Sequence, residues 1–159
     1  MKLKITFWII LLVTLNSCKA QKLFDISKPY NGYIVNQDVD VSIEGKKSSF
    51  IPSNEEIVQA EKLLESALND LNKSNLNQGG KDCPNIERNL QRYVRQYVGY
   101  INQTGDKIIL INMLWDNDLD FNNLRSEYII VFDGCSHYWR VKVNLTKNKV
   151  YDLQINGSA

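Results

Sequence analysis

The sequence predicts an α+β domain in which one long helix packs across a curved antiparallel sheet of four to five strands, behind an N-terminal leader and a tether. This prediction rests on two patterns. Apolar residues recur at helical spacing between residues 57 and 71, and apolar and polar residues alternate in several later segments. A chain of 159 residues, of which 43% are hydrophobic, is long enough for a single such domain and its leader.

The helix is predicted to run from about Asn54 to Asn72. Ser53 and Glu56 have the spacing of a capping box, in which each side chain binds the other's backbone N–H at the start of a helix. One apolar stripe then follows, with charged residues opposite: Ile57, Ala60, Leu64, Ala67, Leu68 and Leu71. We expect this stripe to cover the sheet. A short second helix is predicted between residues 84 and 91.

Residues 127 to 143 read as a central hairpin. Residues 128 to 132 are all β-branched or aromatic, which favours a strand, and Asp133-Gly134 supplies the residue that tolerates positive φ at a turn. On the return, apolar residues alternate with polar ones, so one face of this strand is expected to be buried and the other wet. Every other segment is expected to cover or extend this hairpin.

Further strands are predicted at residues 93–101, 107–115 and 150–156, each from apolar alternation. Gly99, inside the first of these, predicts a bulge or a close contact with another part of the chain. The alternation between Tyr33 and Ile43 is weaker and predicts either two short strands or one bent edge strand. A turn is expected at residues 44–47.

The N-terminus resembles the leader of a bacterial lipoprotein. Lys2 and Lys4 precede an apolar run that is too short to span a bilayer comfortably. The run ends in Leu15-Asn16-Ser17-Cys18, similar to the lipobox, where cleavage exposes a cysteine that receives a diacylglycerol anchor. The resemblance implies a signal peptide at 1–17, lipidated Cys18 and a tether at 18–32, and a single α+β domain at 33–159. The alternative is ordinary export with a cut before Gln21.

The lipobox resemblance places the domain outside the cytoplasm, anchored by lipid to a membrane of the bacterial cell envelope, with the outer membrane favoured. Disulfides persist there. A bridge between Cys83 and Cys135 would close a loop of about fifty residues and stabilise the fold by about 4 kcal/mol. The alternative is two separate buried thiols. Because geometry decides between them, the sequence leaves both open.

The order of elements, one helix followed by an antiparallel meander, resembles cystatin-like and NTF2-like domains. Five short runs between Phe50 and Ala159 are similar to small uncharacterised lipoproteins of Gram-negative bacteria: residues 97–102, 107–109, 111–112, 132–134 and 139–142. The resemblance implies a location and a shape but no activity. The inhibitory Gln-Val-Val-Ala-Gly loop of true cystatins is missing, so protease inhibition does not carry over.

Several chemistries are excluded or disfavoured by the residues present. His137 is the only histidine, which excludes a multi-histidine metal site within one chain. Cys135 and His137 lie two apart on a predicted strand start, a spacing that disfavours a nucleophilic pair. The chain has no P-loop, Rossmann fingerprint, G-x-S-x-G or H-E-x-x-H motif, and no cofactor is predicted. A net charge of +1 argues against nucleic acid as a partner.

An acidic loop has part of the spacing of a calcium site. Asp116, Asp118 and Asp120 alternate, and Glu127 falls where an EF-hand loop places its last ligand. Phe121, however, stands where the loop needs a glycine, and strands instead of helices flank it. A solvated acidic connection is therefore favoured over calcium, and no metal is predicted.

A basic and aromatic binding face is predicted on the wet side of the sheet. It would comprise Arg92, Arg95, Tyr138, Arg140 and Lys142, with Arg88 and Tyr93 nearby. Such a surface suits a polyanion, a glycan or a partner protein. The alternative is an ordinary solvated sheet face whose charges oppose aggregation.

Three functional hypotheses follow. The first is a lipid-anchored envelope protein that binds a protein or glycan and has no enzymatic activity. The second is an NTF2-like enzyme that uses His137, Asp133 or Tyr138 as acid or base in a pocket between helix and sheet. The third is an immunity or inhibitor protein against a secreted toxin or protease. A deep cavity with a titratable group would favour the enzyme, and a filled interior would favour binding. The sequence predicts no oligomeric state.

Overall fold

The structure is a computed structural model, which describes residues 30–115 and 123–157. Its principal elements, in chain order, are β1 (Asn31–Ile34), β2 (Lys46–Phe50), α1 (Asn54–Leu71), α2 (Ile86–Asn89), β3 (Tyr93–Asn102), β4 (Lys107–Trp115), β5 (Tyr138–Asn144) and β6 (Lys149–Ile155). Two 3₁₀ turns, Leu90–Arg92 and Cys135–His137, lead directly into β3 and β5. The predicted α+β class is confirmed. β1 begins two residues before the predicted start of the domain.

Six strands form one mixed sheet in the order β1-β3-β4-β5-β6, with β2 also paired to β3. β1 runs parallel to β3, whereas all the other pairs are antiparallel. The predicted antiparallel sheet of four to five strands is therefore wrong in both count and type. The parallel pair arises because the chain passes through β2 and α1 before it forms β3, and such a crossover permits parallel pairing.

β2 was not predicted as a strand, and its first two residues were part of the predicted turn at 44–47. Its sequence, Lys-Lys-Ser-Ser-Phe, has almost no apolar alternation because it is an edge strand with little burial. Phe50 pairs with Gly99 of β3. A Cβ on Gly99 would lie 2.5 Å from the Phe50 carbonyl oxygen and 2.9 Å from Pro52, so the predicted close contact at Gly99 is confirmed.

α1 begins with the predicted capping box. The Ser53 hydroxyl accepts a hydrogen bond from the Glu56 N–H at 3.2 Å, and the Glu56 carboxylate accepts one from the Ser53 N–H at 2.9 Å. The helix ends at Leu71, one residue before the predicted end, and its 18 residues make it a helix of ordinary length, not a long one. Within the described residues, no helix combines the length and apolar character needed to cross a bilayer.

The main core lies between α1 and the inner face of the sheet, which is the face toward this helix. It contains fully buried residues from both layers: Ile57, Leu64, Tyr97, Ile109, Ile111, Met113, Trp139, Val141 and Val143. On the outer face, residues 35–43 cover one apolar cluster and Leu124 covers another. The outer side of β5 and β6 carries half-buried and exposed polar side chains instead.

Residues 127–132, which we call the outer segment, do not form the first strand of the predicted central hairpin. β5 already pairs with β4 on one side and β6 on the other, which leaves no edge for another strand. The backbone of the outer segment is satisfied by side chains from the sheet. The Ile129 N–H donates to Gln96 Oε1 at 3.0 Å, and Asn112 Nδ2 donates to the Ile129 carbonyl at 2.8 Å.

Candidate functional site: the outer face of β5 and the exposed outer segment

The five residues of the predicted binding face do not form one surface. Tyr138, Arg140 and Lys142 alternate along β5 on the outer face, as predicted. Arg92 lies at the end of the sheet, immediately before β3. Arg95 points to the inner face and is fully buried. Its assignment to a wet binding face was therefore wrong, and the basic surface is smaller than predicted.

Arg95 is buried because it has a buried counter-charge. Its Nε lies 3.1 Å from Glu61 Oε1, and both side chains are 0% exposed. The remaining guanidinium N–H groups donate to the carbonyls of Tyr93 at 2.6 Å and Leu90 at 3.1 Å. Tyr97 Oη also donates to Glu61 Oε1, at 2.7 Å. Every guanidinium nitrogen thus has a partner, as a buried charge requires.

One feature of the sequence could have indicated the buried pair of Glu61 and Arg95, namely a charged residue within the apolar stripe of α1. Glu61 lies four residues after Ile57 and three before Leu64, on the side of α1 that faces the sheet. Burial raises the pKa of Glu61, while the charge of Arg95 lowers it. Burial, together with the hydrogen bond to Glu65, raises the pKa of Tyr30 to about 12, and its ring lies 5.3 Å from the Arg95 guanidinium. This cluster is a structural element of the core.

A groove of about 310 Å³ runs along the outer face of β5 and β6, between these strands and residues 42–44. Two of its charged side chains form an ion pair, and a third bonds a neutral amide. Lys142 Nζ lies 2.8 Å from an Asp152 carboxylate oxygen, and Arg140 Nε donates to Gln154 Oε1 at 2.7 Å. The hydrogen bond from Lys142 holds the pKa of Asp152 below its usual value. The groove is polar, and its two basic residues face two acidic ones, Glu44 and Asp152, so it is not the basic surface that we predicted.

A second cavity, of about 410 Å³, separates the outer segment from β5 and shares Arg140 with the groove. Tyr138 lines it from the sheet, and Tyr128 lines it from the outer segment. Burial raises the pKa of Tyr128, an effect that the nearby charge of Arg140 opposes. At the rim, Phe132 is 90% exposed and Ile130 is 59% exposed. We call Ile130, Phe132, Tyr138 and Arg140 the outer-face site.

The backbone that presents Phe132 is held in place. Asn156 Nδ2 donates to the carbonyls of Val131 at 2.6 Å and of Asp133 at 2.9 Å, one on each side of Phe132. Together with the hydrogen bonds at Ile129, these contacts fix the outer segment, which is not paired with any strand of the sheet. The sequence did not identify Phe132 and Ile130 as surface residues, since an apolar run in a predicted strand favours burial.

The residues predicted as acid or base in an enzyme are not gathered in one pocket. His137 and Tyr138 line separate cavities, and their ring centroids are 6.5 Å apart. Asp133 is exposed and lines neither cavity. The space between α1 and the sheet is filled by buried apolar side chains. The geometry therefore does not assemble the predicted acid–base set between helix and sheet.

Cys83 and Cys135 are joined in a disulfide, with their Cα atoms 5.8 Å apart and a sequence separation of 52. The bridge ties the loop after α1 to the turn before β5. Of the two possibilities that the sequence left open, a bridge or two separate buried thiols, the structure has the bridge. Cys135 follows Gly134, whose φ of 85° is the positive value expected at the Asp133-Gly134 turn.

The predicted calcium ligands are only partly described. Asp116, Asp118 and Asp120 lie outside the described residues, as does Cys18. Glu127 is exposed, and its backbone carbonyl accepts a hydrogen bond from Gln96 at 2.6 Å. Across residues 30–115 and 123–157, no group of three or more His, Cys, Asp or Glu side chains is placed to hold a metal ion.

Comparison with known proteins found no relative of this chain. A scan against protein-family models found no match, and neither a search of curated proteins nor a search of solved structures found a similar protein. The lipobox leader and the cystatin-like or NTF2-like shape therefore stay predictions from the sequence. The function has to be inferred from the geometry of the chain's own residues.

Proposed function

We propose that this chain is a lipid-anchored protein of the bacterial cell envelope, attached through Cys18, whose domain binds another protein at the outer-face site and catalyses no reaction. The observation on which this proposal rests is the exposure of Phe132 (90%) and Ile130 (59%) on a segment whose backbone is fixed. Single exposed apolar residues are common on protein surfaces. Two such residues beside a cavity, on a backbone held by side-chain hydrogen bonds, favour a binding surface.

The fixed backbone matters because association carries an entropic cost. A segment already ordered in the free protein loses little further freedom when a partner covers it. Burying an exposed Phe side chain against a partner is worth about 1.5–3 kcal/mol. Phe132 would serve as the anchor, with the cavity beside it receiving a side chain from the partner.

The composition of the site favours a protein ligand over a glycan or a polyanion. Aromatic residues and arginine are enriched in the centres of protein–protein interfaces, and the site combines Phe132, Tyr138 and Arg140. The adjoining groove pairs Lys142 with Asp152, so it offers little net positive charge to a polyanion. An immunity or inhibitor protein is the form of this proposal in which the partner is a secreted toxin or a protease.

The filled interior supports a binding role over an NTF2-like enzyme, because a catalytic pocket would need a cavity between α1 and the sheet. The cystatin-like or NTF2-like shape belongs to the proposal as well. It is supported by one principal helix packed on the inner face of a mostly antiparallel sheet. The parallel β1 is a departure from that shape.

The anchor can be tested by metabolic labelling with palmitate, comparing wild type with Cys18→Ala. We expect the variant to lose both the label and membrane association, because the thiol that receives the diacylglycerol would be gone. A membrane fraction unchanged in Cys18→Ala would refute the anchor, and so would an unlabelled wild type.

The outer-face site can be tested with benzoylphenylalanine, a photo-crosslinking residue, at position 132 of the full-length chain in its own envelope. The matched control is the same residue at Leu76, which is 60% exposed in the loop after α1. We expect a discrete crosslinked product from position 132 and none from position 76. Excess unlabelled wild-type protein should suppress the product, whereas excess protein with Phe132→Ala and Ile130→Ala should not.

Two outcomes would contradict the proposed site. The first is a set of equal products from positions 132 and 76, which would reflect general proximity. The second is suppression of the product by the double variant as effectively as by wild type, which would show that the two apolar side chains do not bind the partner.

A further inference from the structure

A cavity of about 440 Å³, separate from the outer-face site, lies at the end of the sheet where β4 ends and β3 and β5 begin. We call it the end pocket. Five segments form it: the loop before α2, α2 itself, the 3₁₀ turns that precede β3 and β5, and the end of β4. Its chemically informative lining residues are Lys81, Asp82, Asn89, Arg92, Trp115 and His137.

The walls of the end pocket are tied together. The disulfide between Cys83 and Cys135 joins the loop on one side to the turn on the other. Beside it, the Ser136 hydroxyl donates a hydrogen bond to the Pro84 carbonyl, and the Gly79 N–H donates to the Cys83 carbonyl at 2.8 Å. The loop that supplies Lys81 and Asp82 is therefore fixed against β5, so the pocket is preformed.

Arg92 has no counter-ion among residues 30–115 and 123–157. Its guanidinium carbon lies 4.4 Å from the centre of the Trp115 ring, a cation–π contact that fixes the position of the head group. In the part of the chain that the structure describes, the ion pairs involve other side chains and none includes Arg92. Its guanidinium N–H groups also have no hydrogen-bond acceptor in the described part of the chain, and anionic oxygen atoms are the acceptors that suit a guanidinium.

His137 supplies a nitrogen in a defined state. Its Nδ1 lies 3.1 Å from the Gly134 carbonyl, which can only accept, so Nδ1 is the donor. In the neutral ring, Nε2 is then an acceptor, and it has no hydrogen-bond partner among the described residues. The imidazole also packs edge to face on Trp115, with centroids 5.1 Å apart. Arg92 and His137 are thus held by the same indole ring.

The combination selects among anions. Arg92 and Lys81 favour anionic oxygen atoms, whereas the neutral Nε2 of His137 and the carboxylate of Asp82 both require a proton from the ligand. Carboxylates and sulfate carry no proton near neutral pH. Hydrogenphosphate carries both anionic oxygens and one P–O–H group, so it can bind the cations and donate to one of the two acceptors at the same time. Sulfate, of nearly the same size and shape, cannot.

We propose that the end pocket binds hydrogenphosphate, with Arg92 and Lys81 on its anionic oxygens and the P–O–H group directed at His137 or Asp82. This binding is independent of the outer-face site, since the two cavities share no lining residue. It gives the domain a small-molecule ligand besides the protein partner proposed above.

His137 provides a clean reporter, because it is the only histidine in the chain. The full-length chain in detergent, without a histidine tag, would be titrated with inorganic phosphate at pH 8. Sodium chloride would keep the ionic strength constant while NMR follows the imidazole ring signals. We expect a saturable shift with phosphate, and at least a tenfold higher concentration of sulfate for half saturation.

The variants that test the site are Arg92→Gln and, as a matched control, Arg88→Gln. Arg88 is an exposed arginine of α2 that does not line the end pocket. Arg92→Gln should weaken phosphate binding about tenfold, the loss of one charge-assisted contact, and Arg88→Gln should leave it unchanged. Lys81→Gln, in the loop, provides a second test if Arg92→Gln alters the far-ultraviolet circular dichroism spectrum.

Three results would overturn the proposal. One is a linear drift of the imidazole signals without saturation, and another is equal half-saturation concentrations for phosphate and sulfate. The third is equal weakening by Arg92→Gln and Arg88→Gln, which would indicate general attraction to positive charge in place of a site.

Discussion

Removal of the Glu61 carboxylate is expected to destabilise the domain severely. Glu61 Oε1 accepts hydrogen bonds from Arg95 at 3.1 Å and from Tyr97 at 2.7 Å, and the two charged side chains are 0% exposed. Glu61→Leu would keep a similar volume but leave the guanidinium of Arg95 inside the protein without a counter-charge. Water cannot reach it there to compensate.

The magnitude follows from these contacts. A hydrogen bond to a charged group is worth about 1.5–3 kcal/mol, so the two bonds to Glu61 amount to about 3–6 kcal/mol. Breaking a buried ion pair costs about 3–5 kcal/mol, and we use this range. With a urea dependence of about 1.5 kcal/mol per molar, the unfolding midpoint should fall by about 2–3 M. Adding Arg95→Met should recover part of the loss, because no charge then stays buried.

The assay is urea unfolding with the disulfide intact, followed by both circular dichroism and tryptophan fluorescence to verify a two-state transition. The control is Lys62→Leu, which also replaces a charged residue of α1 by leucine but at the next position, which is exposed. It should change stability by less than about 0.5 kcal/mol. The reasoning is refuted if Glu61→Leu costs less than about 1 kcal/mol. It is also refuted if the effects of Glu61→Leu and Arg95→Met simply add, since residues in direct contact must show coupling.

Three further predictions concern other parts of the fold. Gly99→Ala should lower the free energy of unfolding by about 1–3 kcal/mol through overpacking against β2, whereas Gly80→Ala, with no atom within 4 Å of the new Cβ, should be neutral in the same urea assay. Lys147 and Asn144 lower the pKa of Asp106 to about 2, so its stabilising contribution is present above the unfolded value of 3.8 and is lost as the pH falls toward 2. Wild type should therefore lose stability between pH 4 and pH 2 more steeply than Asp106→Asn, and parallel curves would count against this. Replacing Cys83 and Cys135 by serine should cost about 4 kcal/mol for a loop of 52 residues, and urea midpoints within 0.5 M of wild type would contradict it.

The predicted binding face shows where sequence reasoning succeeds and where it stops. Alternation along β5 correctly placed Tyr138, Arg140 and Lys142 on one face, because successive side chains of a strand point to opposite sides. The same reasoning failed for Arg95, since alternation does not say which side of the strand faces the helix. It also missed Phe132, whose exposure depends on a segment that joins no strand.

By itself, the sequence determined the elements whose signals are local. The capping box and apolar stripe defined α1, and the alternation of residues 93–115 defined β3 and β4, because helical and extended periodicity reflect contacts between near neighbours. Only the tertiary structure decided that β1 runs parallel to β3, that β2 completes the sheet and that residues 127–132 lie over its outer face. It alone decided that Arg95 is buried against Glu61. These outcomes depend on pairing between residues far apart in the chain, where the available strand edges and counter-charges are set by the whole fold and not by any one segment.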